Sequence, residues 1–158
     1  MAKWLVVGIS DQKIAFSPDK LVSYALGSCV GVCIYDRKLR VAGLAHILLP
    51  NSKESLHCPV NPCKYADTAI EKLVAGMEAA GCRRQRLTAK ISGGANMFDI
   101  PGPSIGEKNV EAVKLKLLSL KIDIVAADVG GNHGRTLIFD SVSGKLEIKS
   151  LFHGNKII

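Results

Sequence analysis

The chain has 158 residues, 47% hydrophobic and 22% charged, a composition that suits one folded domain over 1–158 with a sizeable core. Its longest apolar run, Val41 to Pro50, falls well short of the ~20 residues of a spanning helix, so no membrane insertion is expected. The formal net charge is +7, but only Arg83-Arg84-Gln85-Arg86 is clustered, and the 5% of aromatic residues do not interleave with the charges. No nucleic-acid partner is expected; the charge reads as a solvated face or as a dock for an acidic protein.

In chain order, Met1 to Gly8 is too short for a secretion signal and reads as a first strand, Trp4–Val7. Further segments rich in β-branched and aromatic residues, bounded by Gly, Pro, Asp or Ser, predict strands at Lys13–Phe16, Leu21–Leu26, Val30–Tyr35 and Val41–Leu49. Tyr65 to Ala80 then has helical period, with Ala66, Ala69, Ile70, Leu73, Val74 and Met77 at spacings of three and four, and Gly81 follows where a terminating glycine belongs. Leu87–Ser92 reads as a strand. Glu107 to Leu120 reads as a second helix with Val110, Val113, Leu117 and Leu120 on one stripe. Asp123–Asp128, Arg135–Asp140 and Lys145–Leu151 complete the strands. Many strands and two helices predict an α/β sandwich with mixed or antiparallel sheets, because simple βαβ alternation would need more helices. The five cysteines, an odd number without a secretion signal, predict reduced thiols and a cytoplasmic location.

The chemistry-bearing feature is a thiol and an imidazole on neighbouring segments. Cys29 lies in Leu26-Gly27-Ser28-Cys29-Val30-Gly31-Val32, and His46 lies in Ala45-His46-Ile47-Leu48-Leu49-Pro50. Asp36 to Arg40 is the only polar stretch between them, so a hairpin turns there. A two-residue loop at Arg37-Lys38 would set Cys29 directly opposite His46, with Cβ atoms ~4.5–5.5 Å apart; a longer loop would shift the partner by one or two positions. A thiol becomes a strong nucleophile when an imidazole takes its proton. Gly27 and Gly31 would let backbone approach a substrate, and the amide N–H groups of Ser28 and Cys29 could hold an oxyanion. The competing reading is structural, since an isolated histidine in an apolar strand is commonly a core residue and a lone cysteine a small hydrophobe.

Other motifs carry less chemistry. His57-Cys58-Pro59-Val60-Asn61-Pro62-Cys63 offers three ligands where a structural zinc site needs four, so a proline-rich loop and no metal are expected, although Cys82 or His133 could fold nearby. Gly93-Gly94-Ala95 lacks the Lys-Ser/Thr pair of a phosphate loop and reads as a turn at the rim of the site. Gly93, Gly94, Met97 and Phe98 are candidate contacts for substrate or partner, and Met97 and Phe98 could equally be core. His133, in Asp128-Val129-Gly130-Gly131-Asn132-His133-Gly134-Arg135, is the rival to His46 as base.

These two segments, with Lys64-Tyr65-Ala66-Asp67, Ala89-Lys90-Ile91-Ser92-Gly93-Gly94-Ala95-Asn96-Met97-Phe98, Ile105-Gly106-Glu107-Lys108-Asn109-Val110 and Asp128-Val129-Gly130-Gly131 leading to Gly134-Arg135, resemble the chemoreceptor glutamine deamidases, the CheD family of bacterial chemotaxis. The resemblance runs from about Ile14 to about Ser150. It implies an α/β sandwich similar to the catalytic domains of glutamine-deamidating toxins. It implies a cysteine nucleophile at Cys29, a base at His46 and a hydroxyl-bearing third residue at Ser23, where some members carry Thr; Lys108 stands where Arg is common. The implied reaction converts receptor glutamines to glutamate through a thioester, with no cofactor. The implied partners are the cytoplasmic helices of chemoreceptors and, in some bacteria, a CheC-type phosphatase. The alternatives are a non-catalytic adaptor for the same partners, and a protease or transglutaminase sharing the Cys–His pair.

Overall fold

The computed structural model describes residues 1–55, 61–98 and 101–158. Among these, ten strands and two α-helices stack in three layers. The outer sheet has the order β1 (Trp4–Val6), β3 (Lys20–Leu26), β8 (Arg135–Asp140), β9 (Leu146–Ser150), β10 (Gly154–Ile157). The middle sheet has the order β2 (Asp11–Phe16), β5 (Val41–Ile47), β4 (Val30–Asp36), β6 (Leu87–Gly93), β7 (Asp123–Val129). Pairings β1–β3 and β6–β7 are parallel and the others antiparallel, so both sheets are mixed, as the sequence predicts. Helices α1 (Ala66–Ala79) and α2 (Ile105–Ser119) pack on the middle sheet. Neither is long and apolar enough to cross a membrane.

Strands β4 and β5 are buried at every residue. A strand covered on both faces reads as a continuous apolar run, and its alternation then sorts residues between two cores rather than between core and water. Val30, Val32 and Ile34 of β4 join Ile70, Leu73 and Met77 of α1 in the core under the helices. Cys29, Cys33 and Tyr35 face the other way and join Leu21, Leu137 and Phe139 of the outer sheet. Each fully buried Leu or Ile contributes about 2 kcal/mol by removing apolar surface from water.

The hairpin between β4 and β5 closes through four residues, 37–40, not two. The Asp36 carboxylate makes the difference: it accepts from Lys38 N at 3.0 Å and from Leu39 N at 3.2 Å, building the turn, and Arg40 takes φ +53 to leave it. The longer loop sets Gly31, not Cys29, opposite His46. Asp36 is fully buried and also receives Arg86 through Nε at 3.1 Å and Nη2 at 2.8 Å. Of the basic cluster, Arg86 therefore anchors the buried Asp36, and Arg84 pairs with Glu78 at the surface at 2.8 Å.

Helix α2 starts two residues before the expected Glu107. Ser104 accepts from Glu107 N at 3.1 Å, half of a capping box whose Ser-x-x-Glu spacing is present in the sequence. Strand β10 was not expected. It is short, exposed and polar, without alternation, and forms because it pairs with β9. The candidate zinc ligands His57 and Cys58 lie outside the described residues. Cys63, their neighbour, is buried in a short turn against Lys72.

Candidate active site

His46 sits on the face of β5 that turns toward the outer sheet and is 1% exposed. Strand β3 brings Ser23, fully buried, against it, with Oγ 2.7 Å from His46 Nδ1. The same hydroxyl donates to the Val7 carbonyl at 2.7 Å. A carbonyl can only accept and a hydroxyl has one proton, so the Ser23 proton belongs to Val7 and His46 must donate from Nδ1 to Ser23 Oγ. This relay leaves the His46 Nε2 lone pair free. Nε2 is buried and has no partner among the described residues. Burial pushes the imidazole pKa down to about 4, against a smaller upward pull from the Val7 backbone, so the ring is neutral near pH 7. Val7 is held by the parallel pairing of β1 with β3, which continues as Val7 N to Val22 O at 2.8 Å.

Cys29 immediately precedes β4. It lies two residues from Gly31 on the same face, and Gly31 pairs with His46, so thiol and imidazole are diagonal neighbours. Such neighbours stand ~7 Å apart along the strands. No hydrogen bond joins Cys29 to Nε2. Cys29 is 7% exposed, at the edge of the core. Burial pushes its thiol pKa up, against a pull down from its own backbone N–H, so the resting pair is thiol and imidazole, not thiolate and imidazolium.

The backbone around Cys29 is fixed from one side. Gly27 O accepts from Ala95 N at 2.9 Å, Ser28 O from the Asn109 side-chain amide at 2.9 Å, and Cys29 O from Gly94 N at 2.8 Å. Gly93 has φ +114, and a Cβ there would lie 2.2 Å from Cys29 O, so the turn after β6 can only be glycine. Gly93 and Gly94 are both buried against this segment. Arg135, 3% exposed, braces the turn through Gly93 O at 3.4 Å and Gly130 O at 2.9 Å, and pairs with Asp128 at 3.1 Å.

Met97 packs over Gly27 and is exposed, as is Phe98 at 80%. His133 stacks on His153 at 3.8 Å between ring centres, in the loop before β8. Asn109, within the segment Ile105 to Val110, is a site neighbour to which the sequence assigns no role. It is fully buried on the stripe Gly106, Asn109, Val113 and Leu117, and an amide on such a stripe is the signal that marks it.

A thiol, a neutral imidazole with one free nitrogen and a hydroxyl that orients the ring are the groups of cysteine-based acyl transfer. Residues 48–150 match the family model described as CheD chemotactic sensory transduction. The chain is 44% identical to a probable chemoreceptor glutamine deamidase CheD of Syntrophomonas wolfei, over the whole of both chains. It is 47% identical to the protein of the same name from Clostridium botulinum strain Eklund 17B, over 90% of each chain. It is 46% identical to that of C. botulinum strain Hall, over 99% of this chain and 98% of the relative. The chain belongs to the CheD family.

Proposed function

We propose that this chain hydrolyses glutamine side chains of chemoreceptors to glutamate, with Cys29 as nucleophile, His46 as base and then acid, and Ser23 as the residue that orients the ring. The relay from His46 Nδ1 through Ser23 to the Val7 carbonyl carries the reading, because it leaves Nε2 unprotonated on the face that Cys29 shares. The names of the relatives support the substrate class.

The thiol proton passes to His46 Nε2 as sulfur attacks the carboxamide carbon. The oxyanion is held by the backbone N–H groups of Ser28 and Cys29. As the intermediate collapses, the C–N bond breaks and the imidazolium gives its proton to the departing nitrogen, releasing ammonia. Water, deprotonated by His46, then attacks the thioester, and glutamate and the free thiol result. Every proton transfer uses the one imidazole, so no cofactor or metal enters. Met97, over Gly27, and the exposed Phe98 next to it in sequence would meet the receptor helix or a CheC-type phosphatase. The protein would work in the cytoplasm, where those receptor helices lie.

The test is to incubate a receptor cytoplasmic fragment with the protein in water enriched in heavy oxygen and to map its peptides by mass. Specific glutamines should become glutamate carrying one heavy oxygen, with one ammonia released for each. Backbone cleavage would indicate a protease and amine incorporation a transglutaminase. Tight binding without any mass change would indicate an adaptor.

A further inference from the structure

Asn109 stands on α2, on the side of the middle sheet away from the thiol. Its side-chain amide donates to two carbonyls at once, Ser28 O at 2.9 Å and Leu48 O at 3.0 Å. Ser28 O belongs to the peptide that carries the Cys29 N–H. Leu48 is two residues beyond His46. One fully buried amide thus ties the nucleophile's segment to the end of the strand that bears the base.

The direction of these bonds matters more than the link. In a trans peptide the C=O and the N–H point in opposite directions. Ser28 O points to α2, which packs in the core under the helices, whereas Cys29 belongs to the core between the sheets. The Cys29 N–H must therefore point away from α2, toward the face that carries its own sulfur and His46. The backbone N–H beside the Cys29 thiol, which pulls its pKa down, fits that direction. A hydrogen bond accepted at the carbonyl also polarises the peptide and makes its N–H a stronger donor.

We propose that Asn109 is a positioning residue for the oxyanion site: by holding the Ser28 carbonyl on the helix side, it turns and strengthens the Cys29 N–H toward the substrate oxygen. Leu48 O, held by the same amide, keeps the base's strand in register with that donor. The inference rests on the deamidase reading for its substrate, but the geometry it describes can be probed without one.

The experiment compares the parent with Asn109→Leu, which has the same branching without donors but is bulkier, and with Asn109→Ser, which leaves a smaller group if the leucine does not fold. Folding is checked by circular dichroism, and rates are taken well below each variant's melting temperature. Cys29 is labelled with two reagents. A short peptide whose glutamine amide is replaced by a chloromethyl ketone places a developing oxyanion where the substrate's would be. Iodoacetamide alkylates sulfur by direct displacement and forms no oxyanion. Ketone labelling should fall at least 30-fold in the variants, and iodoacetamide labelling should stay within about 3-fold of the parent. On a receptor fragment kcat should fall with the ketone rate while KM holds. Both labelling rates changing by one factor, or neither changing, would overturn the proposal, since a merely structural Asn109 predicts no difference between the reagents. A parent that leaves receptor glutamines intact would overturn the deamidase reading, while the ratio of the two labelling rates would still decide the role of Asn109.

Discussion

At the scale of single residues, Ser23 and His46 settle a protonation question by counting hydrogens. Val7 O takes the only Ser23 proton, so His46 donates from Nδ1, and the nitrogen left over is the one a thiol needs. Ser23→Ala should remove the acceptor of that Nδ1 proton and lower kcat on a receptor fragment by about 10²-fold, the scale of a disabled general base. Ser23→Thr keeps the oxygen and should stay within about tenfold, the spare methyl being the only disturbance. Burial also predicts the acid limb. Because His46 is held at a pKa of about 4 when folded, kcat/KM should decline only as pH falls toward 4, with no inflection near the ordinary 6.5. The sign for stability follows from the same displacement. A folded pKa below the unfolded one means that protons favour the unfolded chain. The contribution of neutral His46 is intact above pH 6.5 and is lost as pH falls through the window down to about 4, by about 3 kcal/mol in all. Urea denaturation of the parent and of His46→Gln across that window isolates this share. An inflection in kcat/KM at 6.5 would instead show a solvated ring.

At the scale of elements, turns and pairings decide where the side chains meet. The central strands and both helices were legible in the sequence because long apolar runs and three-to-four spacing are strong local signals. The hairpin register was not, because it depends on what Asp36 does with its carboxylate. Burial alone would push that carboxyl up, but hydrogen bonds from Arg86 and from the Leu39 and Lys38 N–H groups outweigh it and hold it below the ordinary carboxylate range. Arg86→Ala would leave this carboxylate buried without its cation and should lower the urea midpoint near pH 7, whereas a midpoint equal to the parent's would contradict this role. The turn after β6 was legible as a glycine turn, but not as the brace of Cys29. Gly93→Ala combines a positive φ with a Cβ 2.2 Å from Cys29 O, so it should cost at least about 2 kcal/mol and depress kcat more than KM. Strand β10 is exposed and polar, so it lacks an apolar signal, and it forms by pairing with β9 just before it.

At the scale of the whole molecule, the candidate site draws on two sheets and a helical layer. The middle sheet carries Cys29 and His46, the outer sheet supplies Ser23 and the Val7 carbonyl that fixes its proton, and α2 supplies Asn109 from the far side. In the sequence, Cys29 and His46 stand out as a thiol and an imidazole on neighbouring apolar segments, while Ser23 enters only through the resemblance. The Val7 carbonyl has no sequence signal at all, and Asn109 lies inside the family segment Ile105 to Val110 without a readable role of its own. The central claim is that sulfur at position 29, served by the imidazole at position 46, performs the amide hydrolysis. Its most direct test is ammonia release from a receptor fragment by the parent, Cys29→Ala and His46→Gln, each first shown to be folded by circular dichroism. The account predicts steady release by the parent and a loss of at least about 10³-fold in both variants; release by folded Cys29→Ala at the parent's rate would contradict it.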